Sequence, residues 1–405
     1  MRTFERSAQW LDRALAVTPI ASQTMSKMPD ASLRGRFPFF FVRGEGCRVW
    51  DLDGNEYLDF ESCLGPIVLG YCYPPVQEAV ARQLADGSIF SGPHPLEAEV
   101  AELVRDLVPC AEMMRFGKNG VDATSALVRA ARQFTGRDLV VHYGYHGWAD
   151  WSTAERTDDP GIPEGVRALT KSFDLHNPDS LRAVLEAHAG RVAVVMVALP
   201  YDRELDRAAL AAVRDLTHEH GALLAYDEIV TGFRLAPGGA QEYYGVVPDL
   251  AAFAKALSNG FPLSVWCGRR DVIAGARPWT CSLTYGGDTL ALAAAKACLT
   301  VMREEPVHEH LWRVGAQLRD GLAGLLASHG VPGQVVGLAP LLGLSLDLGE
   351  ATDKGWEIMH CELAQQGVLH RRGHRLMPTY SHQPEDIARA LEGFDAALAA
   401  VAMLA

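Results

Sequence analysis

Residues 192–197 read VAVVMV, an unbroken apolar run. A run of that length and β-branched content predicts a strand covered on both faces. The segment before it opens with Asn177-Pro178, a capping side chain followed by a proline suited to a first helical turn. The helix is predicted to run to about 189, where Gly190 stops it. Beyond the strand, Leu210, Val213 and Leu216 recur at helical spacing across 206–220, and Gly221 closes that pattern. Residues 222–226 (ALLAY) predict the next strand, which runs into Asp227-Glu228. Shorter apolar stretches at 139–142, 250–253 and 264–267 predict three more. Strands alternating with helices imply a mainly parallel sheet with helices on both faces. After about 290 the pattern changes. Helices are predicted over about 290–303, 306–328, 354–366 and 384–403, with a few strands such as 341–346, which points to a smaller α+β domain. Near the start, 48–50 and 56–58 predict a hairpin around Asp51-Leu52-Asp53-Gly54.

Composition narrows the function. The chain has 405 residues, 48% of them hydrophobic, enough for one or two packed cores. No repeat, low-complexity tract or linker divides it, so its parts are expected to interlock. A net charge of −13 argues against a nucleic-acid partner. No apolar stretch is long enough for a membrane span, and the opening MRTFERSAQW lacks a signal-peptide core. The eight cysteines are scattered without a C-x-x-C, so reduced thiols and a cytoplasmic setting are expected.

Four local features carry candidate chemistry. Gly117-Lys118-Asn119-Gly120 precedes a helical pattern through Ala123, Ala126, Leu127, Ala130 and Ala131. Free N–H groups at such a helix start suit a phosphate, although many ordinary junctions look the same. Asp227 ends a predicted buried strand, the edge at which open α/β sheets bind ligands. A cation must pair with a carboxylate there, either a ligand's or a structural one such as Arg234. Lys255 follows a predicted strand within Ala-Phe-Ala-Lys-Ala-Leu-Ser-Asn-Gly-Phe-Pro. A partly desolvated lysine deprotonates easily and forms Schiff bases; a solvated strand-end lysine is the alternative. Tyr143-Gly144-Tyr145-His146-Gly147-Trp148 sets rings between glycines, suited to a planar ligand or to core packing.

Other patterns fall away. Asp51-Leu52-Asp53-Gly54 lacks the later ligands of a calcium loop. His218 and His220, like His308 and His310, are two apart on predicted helices and share no face, so no metal site is expected. There is no dinucleotide fingerprint, P-loop or nucleophile elbow.

Taken together, the four features resemble the class III aminotransferases, the group of glutamate-1-semialdehyde aminomutase and the ω-aminotransferases. Val49 to Asp59 is similar to the family's opening hairpin, and Tyr226-Asp227-Glu228-Ile229-Val230-Thr231-Gly232-Phe233-Arg234 to its cofactor-acid motif. Pro248 through Lys255 to Pro262 is similar to its lysine motif, and Thr284-Tyr285-Gly286-Gly287-Asp288-Thr289-Leu290 to the segment that reaches the neighbouring subunit. The resemblance implies an α/β fold, pyridoxal phosphate (PLP) fold type I, with a mostly parallel seven-stranded sheet in a large domain. A small α+β domain would be built from both chain ends. The corresponding divisions are 1–60, 61–296 and 297–405. The implied cofactor is pyridoxal 5'-phosphate, held by Lys255, which would also shuttle the reaction's proton. Asp227 would pair with the ring nitrogen, Tyr145 would stack on the ring with His146 beside it, and Asn119, Gly120 and Val121 would bind the phosphate. Thr284 would serve the other subunit's phosphate, which implies a homodimer with shared active sites.

The chain also departs from the family pattern. Asn119-Gly120-Val121-Asp122-Ala123 stands where many members have Ser-Gly-Thr-Glu-Ala, so contact at Val121 is through backbone alone. Ala254 precedes the lysine in place of the usual glycine. Leu199-Pro200 replaces a frequent Glu-Pro, which puts in question the glutamate–arginine switch of some ω-aminotransferases. The stretch after Pro200 is also short. The motifs around Phe116–Thr124, Gly144–Trp151 and Gly239–Gly245 look most like a branch tied to sugar and antibiotic pathways. The expected activity is therefore amino transfer, from a donor such as L-glutamate to a sugar-like carbonyl acceptor of the aminoglycoside kind. Glu61, Asp122 and Asp150 are candidates to meet its ammonium groups. An isomerase, either an aminomutase or an amino-sugar epimerase, and an elimination on an amino sugar are the alternatives.

Overall fold

A computed structural model describes residues 1–156, 158–199 and 203–404. The chain divides into two compact units. One comprises residues 1–74 and 309–404 with Arg203, and the other residues 75–199 and 204–308. The helix Thr289–Glu304 lies wholly within the second unit, whereas the expected boundary at 296/297 falls inside it.

The first unit begins with the helix Glu5–Leu15 and three strands, β1 (Phe41–Glu45), β2 (Arg48–Asp51) and β3 (Glu56–Asp59). β2 and β3 form the predicted hairpin, closed by Asp51, whose carboxylate accepts from the Asn55 amide at 2.8 Å. The strand Val368–Leu369 joins β3 in parallel, from the far side of the sequence. Leu58 and Phe60 pack with Val314, Leu318 and Leu322 and with Ile387, Phe394 and Leu398 in one apolar core. A second, antiparallel sheet is formed by Gly333–Val336, Leu342–Leu346 and Arg375–Leu376.

The second unit is built on a seven-stranded sheet. Its strands are β4 (Met113–Gly117), β5 (Leu139–Tyr143), β6 (Thr170–Ser172), β7 (Val192–Ala198), β8 (Leu223–Asp227), β9 (Leu250–Phe253) and β10 (Ser264–Gly268). The order is β4-β10-β9-β8-β7-β5-β6, with β10 antiparallel to both neighbours and the other pairs parallel. The interior strands are the ones their apolar runs predict, while the edge strands β4 and β6 are absent from that prediction. Every residue of β4 but the last is only half-buried, and β6 spans three residues, so neither carries an apolar run. The helix Gly120–Thr135 lies across one face, where Ala123, Ala126, Leu127 and Ala130 meet Val194, Ala225, Ala252 and Trp266. Its row of alanines lets the helix approach the strands closely. This architecture is PLP fold type I.

Candidate active site

The carboxyl edge of the large sheet gathers the predicted residues of this unit. Asp227 is the last residue of β8 and pairs in register with Ala198 of β7 and Ala252 of β9. Lys255 follows β9, two residues beyond its end, at the head of a short 3-10 turn, Lys255–Ser258. Its φ of +43° is rare for a residue with a side chain. Such local strain persists where the surrounding structure fixes it, and it concentrates at functional sites. Phe253 and Ala254 before Lys255 and Ala256 and Leu257 after it are buried, and Lys255 itself is half-buried.

The turn after β4 leads into a long helix. Asp122 accepts from the amides of Lys118 (3.0 Å) and Asn119 (2.8 Å), which folds the chain tightly into the helix Gly120–Thr135. In a sixteen-residue helix the first-turn amides have no carbonyl of their own to meet, so Gly120 and Val121 present N–H donors. Lys118 pairs with Asp288 at 2.8 Å, tying this turn to the segment that holds Thr284. Thr284 itself is solvent-exposed.

The loop after β5 lies against both features. Gly144 and Gly147 have φ of +91° and +108°, and a Cβ at either would come within 2.7 Å of Ala198 and 2.9 Å of Val121 respectively. Only glycine permits both the turn and the approach. Between them Tyr145 stays 70% exposed, while His146 is turned inward and buried. His146 is fixed on three sides. Thr124 Oγ1 donates to its carbonyl at 2.9 Å, Trp151 stacks on its ring at 5.6 Å, and its Nδ1 meets Asp227 Oδ2 at 2.9 Å. Asp227 Oδ1 accepts from the Ile229 amide at 3.0 Å. An ionised carboxylate only accepts, so toward it Nδ1 is the donor.

The neighbouring acid is structural. Glu228 is fully buried and accepts from the Ala240 and Gln241 amides and the Thr231 hydroxyl, anchoring the helix Ala240–Tyr244. Burial pushes its carboxyl up, against the pull of those donors. Arg234, the partner considered for Asp227, is fully buried, and desolvation lowers it to about 10. Asp227's partners are instead His146 and Ile229.

Two of the carboxylates considered for substrate ammonium groups are already engaged. Asp122 closes the turn just described. Glu61, in the other unit, accepts from Arg371 Nε at 3.0 and 3.1 Å, from Arg371 Nη2 at 2.5 Å, and from His374 Nδ1 at 3.0 Å. Burial alone would raise its carboxyl, but the bonds from His374 and Arg371 outweigh that and hold it well below the usual range. Beside it Asp59 is buried and accepts from Tyr71 Oη at 2.6 Å. Burial first, and then the charge of Glu61, push Asp59 up to about 6. Asp150 is exposed at the start of the helix Asp150–Thr153.

Leu199, just beyond β7, is buried at 2% exposure. Pro200 and the two residues after it lie outside the described residues. Two polar groups near the site escaped prediction, His142 on β5 and Glu155. A lone histidine in an apolar strand gives no signal in sequence, and neither does an isolated glutamate after a short helix. Among the described residues no group of three or more His, Cys, Asp or Glu could hold a metal ion. No helix among them is long and apolar enough to cross a membrane.

The sequence profile of the class III aminotransferases matches residues 31–197 and 202–398. The chain belongs to the class III aminotransferases. Glutamate-1-semialdehyde 2,1-aminomutase of Methanothermobacter thermautotrophicus is 36% identical to this aminotransferase over 323 residues, 76% of this chain and 77% of its own. The FumI protein of Sphingopyxis sp. MTA144, solved in its PLP internal aldimine form, superposes with a TM-score of 0.89 at 28% identity, covering 98% of this chain and 96% of its own. An omega-transaminase from Sphaerobacter thermophilus gives 0.87 at 26% identity, covering 97% of each chain. The cofactor of this aminotransferase is pyridoxal 5'-phosphate. The donor set suits it: backbone amides at a helix start for a phosphate, a buried carboxylate for a ring N–H, and a lysine amine for an aldehyde.

Proposed function

We propose that this aminotransferase moves an amino group from a donor of the L-glutamate type to a carbonyl of a sugar-like acceptor, such as an aminoglycoside intermediate. The observation that carries the acceptor class is Leu199. It is apolar and buried at the end of β7, one residue beyond the partner of Asp227. A carboxylate there could hold an arginine aside when a side-chain carboxylate binds, whereas a leucine cannot. An acceptor without a second carboxylate has no need of that device.

The roles follow from the chemistry of each group. Bound pyridoxal phosphate supplies an aldehyde that condenses with amines and a ring that draws electrons from the broken C–H bond. Lys255 Nζ is the group that holds it and, once released, takes the proton from the donor's carbon and returns it at the neighbouring position. Asp227 faces the ring N–H and keeps the positive charge there. His146, donating from Nδ1, fixes the orientation of that carboxylate. Asn119, Gly120 and Val121 bind the phosphate, the last through its amide alone, and Tyr145 covers the ring. The exposure of Thr284 suits service to a second subunit, in a homodimer with shared sites.

A second reading, an aminomutase, is favoured by the name that the 36%-identical relative carries. One experiment separates the two. The holoenzyme is mixed with L-glutamate, and 2-oxoglutarate release is followed together with loss of the visible band. An oxidised aminoglycoside is then offered as acceptor. Oxoglutarate release and amination of the sugar support the proposal. Turnover of glutamate-1-semialdehyde, with no response to glutamate or amino sugars, replaces it with the aminomutase.

A further inference from the structure

Behind the Asp227–His146 pair lies a second imidazole. His142 sits on β5 with its side chain 10% exposed, and its ring meets the edge of the His146 ring at 5.5 Å and 69°. Its Nε2 stands 3.6 Å from Glu155 Oε2, an ion-pair distance longer than a hydrogen bond. His146 Nε2, His142 Nδ1 and His142 Nε2 are all buried without a hydrogen-bond partner among the described residues. Buried polar nitrogens are ordinarily satisfied, so three in one cluster call for an account, and a proton-handling role is one such account. The flanking strands set Ser172 and Met196 opposite His142, and neither titrates. The titratable groups that face it are His146 and Glu155, with Asp227 behind His146. A row therefore runs from the half-exposed Glu155 through His142 and His146 to Asp227.

We propose that His142 and Glu155 form a second layer behind the Asp227–His146 pair, as positioning residues that set how readily the pair takes up a proton. This rests on the assignment of Asp227 to the cofactor's ring nitrogen. The coupling is electrostatic. A proton on either imidazole makes a proton on the other unfavourable at 5.5 Å, and the Glu155 carboxylate favours a proton anywhere in the row. Burial, and then the neighbouring His146, hold His142 below its ordinary value.

The test uses the holoenzyme and two variants, Glu155→Gln and His142→Phe. The pH midpoint of the bound cofactor's visible band is read for each. Neutralising Glu155 removes a charge that favours protons, so the midpoint falls. Removing the His142 imidazole takes away a competitor for the same proton, so the midpoint rises. Each shift is expected at about one pH unit. Affinity is measured in parallel for pyridoxal phosphate and for its analogue with carbon in place of the ring nitrogen. Glu155→Gln should weaken the first several-fold, His142→Phe should tighten it, and both should leave the second unchanged. Glu155 is half-exposed and its replacement leaves the fold intact, so that arm decides the matter even if His142→Phe does not fold. Midpoints superimposed on wild type, or equal loss of affinity for both compounds, would overturn the proposal. Asp227→Asn is the control. If it fails to distinguish the two compounds, the assignment of Asp227 itself is what falls.

Discussion

In the sheet-bearing unit Asp227 is 7% exposed and takes one bond from an imidazole and one from a backbone amide; in the other unit Glu61, 4% exposed, is gripped by Arg371 and His374. Both acids are buried, and both would be costly alone. They differ in the partner's chemistry. A guanidinium is permanently charged and binds both oxygens in a fork, so Glu61 is saturated and its charge settled. An imidazole can change its own charge and keeps a second nitrogen, so Asp227 remains responsive. The sequence makes both look like candidate ligands for cations, and the partner decides which is closed into the fold.

The comparison can be broken in several places. The largest effect is expected at the responsive end. Lys255→Ala should lower turnover by about 10⁴-fold while the unfolding midpoint stays near wild type. Borohydride should fix the cofactor to the peptide holding Lys255 in the wild type alone, and labelling elsewhere would defeat the assignment. At the closed end, Glu61→Ala leaves the half-buried Arg371 without its acid. About 3–5 kcal/mol of stability should be lost, read as a lower urea midpoint at unchanged slope. A midpoint at wild-type level would show that the grip on Glu61 is not structural. Asp227→Asn keeps the shape and loses the charge. It should reduce turnover by about 10²–10³-fold and change stability by less than about 1 kcal/mol. Equal damage to stability from the two acids would erase the distinction between them.

The smallest effect concerns Asp59. Its carboxyl is raised in the fold to about 6, from about 3.9 in the unfolded chain. The folded form therefore holds the proton more tightly. That contribution is fully present below about pH 4 and is lost as pH rises through about 6, an amount of about 2–3 kcal/mol. Glu61 runs the other way, since its carboxyl is depressed in the fold; its stabilisation is present above about pH 4 and lost as pH falls further. Asp59→Asn should remove the decline between pH 4 and 6 and leave the acid limb of Glu61 in place. Denaturant midpoints across that range check this, and an unchanged decline would place its source elsewhere.

These differences track what a sequence can carry. The strands β5, β7, β8, β9 and β10 are legible because burial on both faces demands apolar runs. β4 and β6 are not, since an edge strand can be half-buried or three residues long and still pair. Asp227 and Lys255 are legible because each ends a readable strand, at the edge where α/β sheets meet ligands. The closure of Glu61 was not, because its partner Arg371 lies 310 residues away and nothing local announces the pair. His142 and Glu155 were missed for a related reason. Their meaning depends on Asp227, which β7 and β8 bring to them from another part of the chain.

The pairing of β3 with Val368–Leu369 has a consequence for synthesis on the ribosome. Leu58 donates to the Gly367 carbonyl, and Phe60 belongs to a core completed by Phe394, Leu398 and Val401. None of those partners exists when Tyr57, Leu58 and Phe60 leave the exit tunnel. At elongation rates of about 5–20 residues per second the delay is roughly 15–60 s, during which the intervening unit can complete its sheet. The early hairpin therefore waits as an exposed apolar segment, and ribosome-associated chaperones should engage this chain there first.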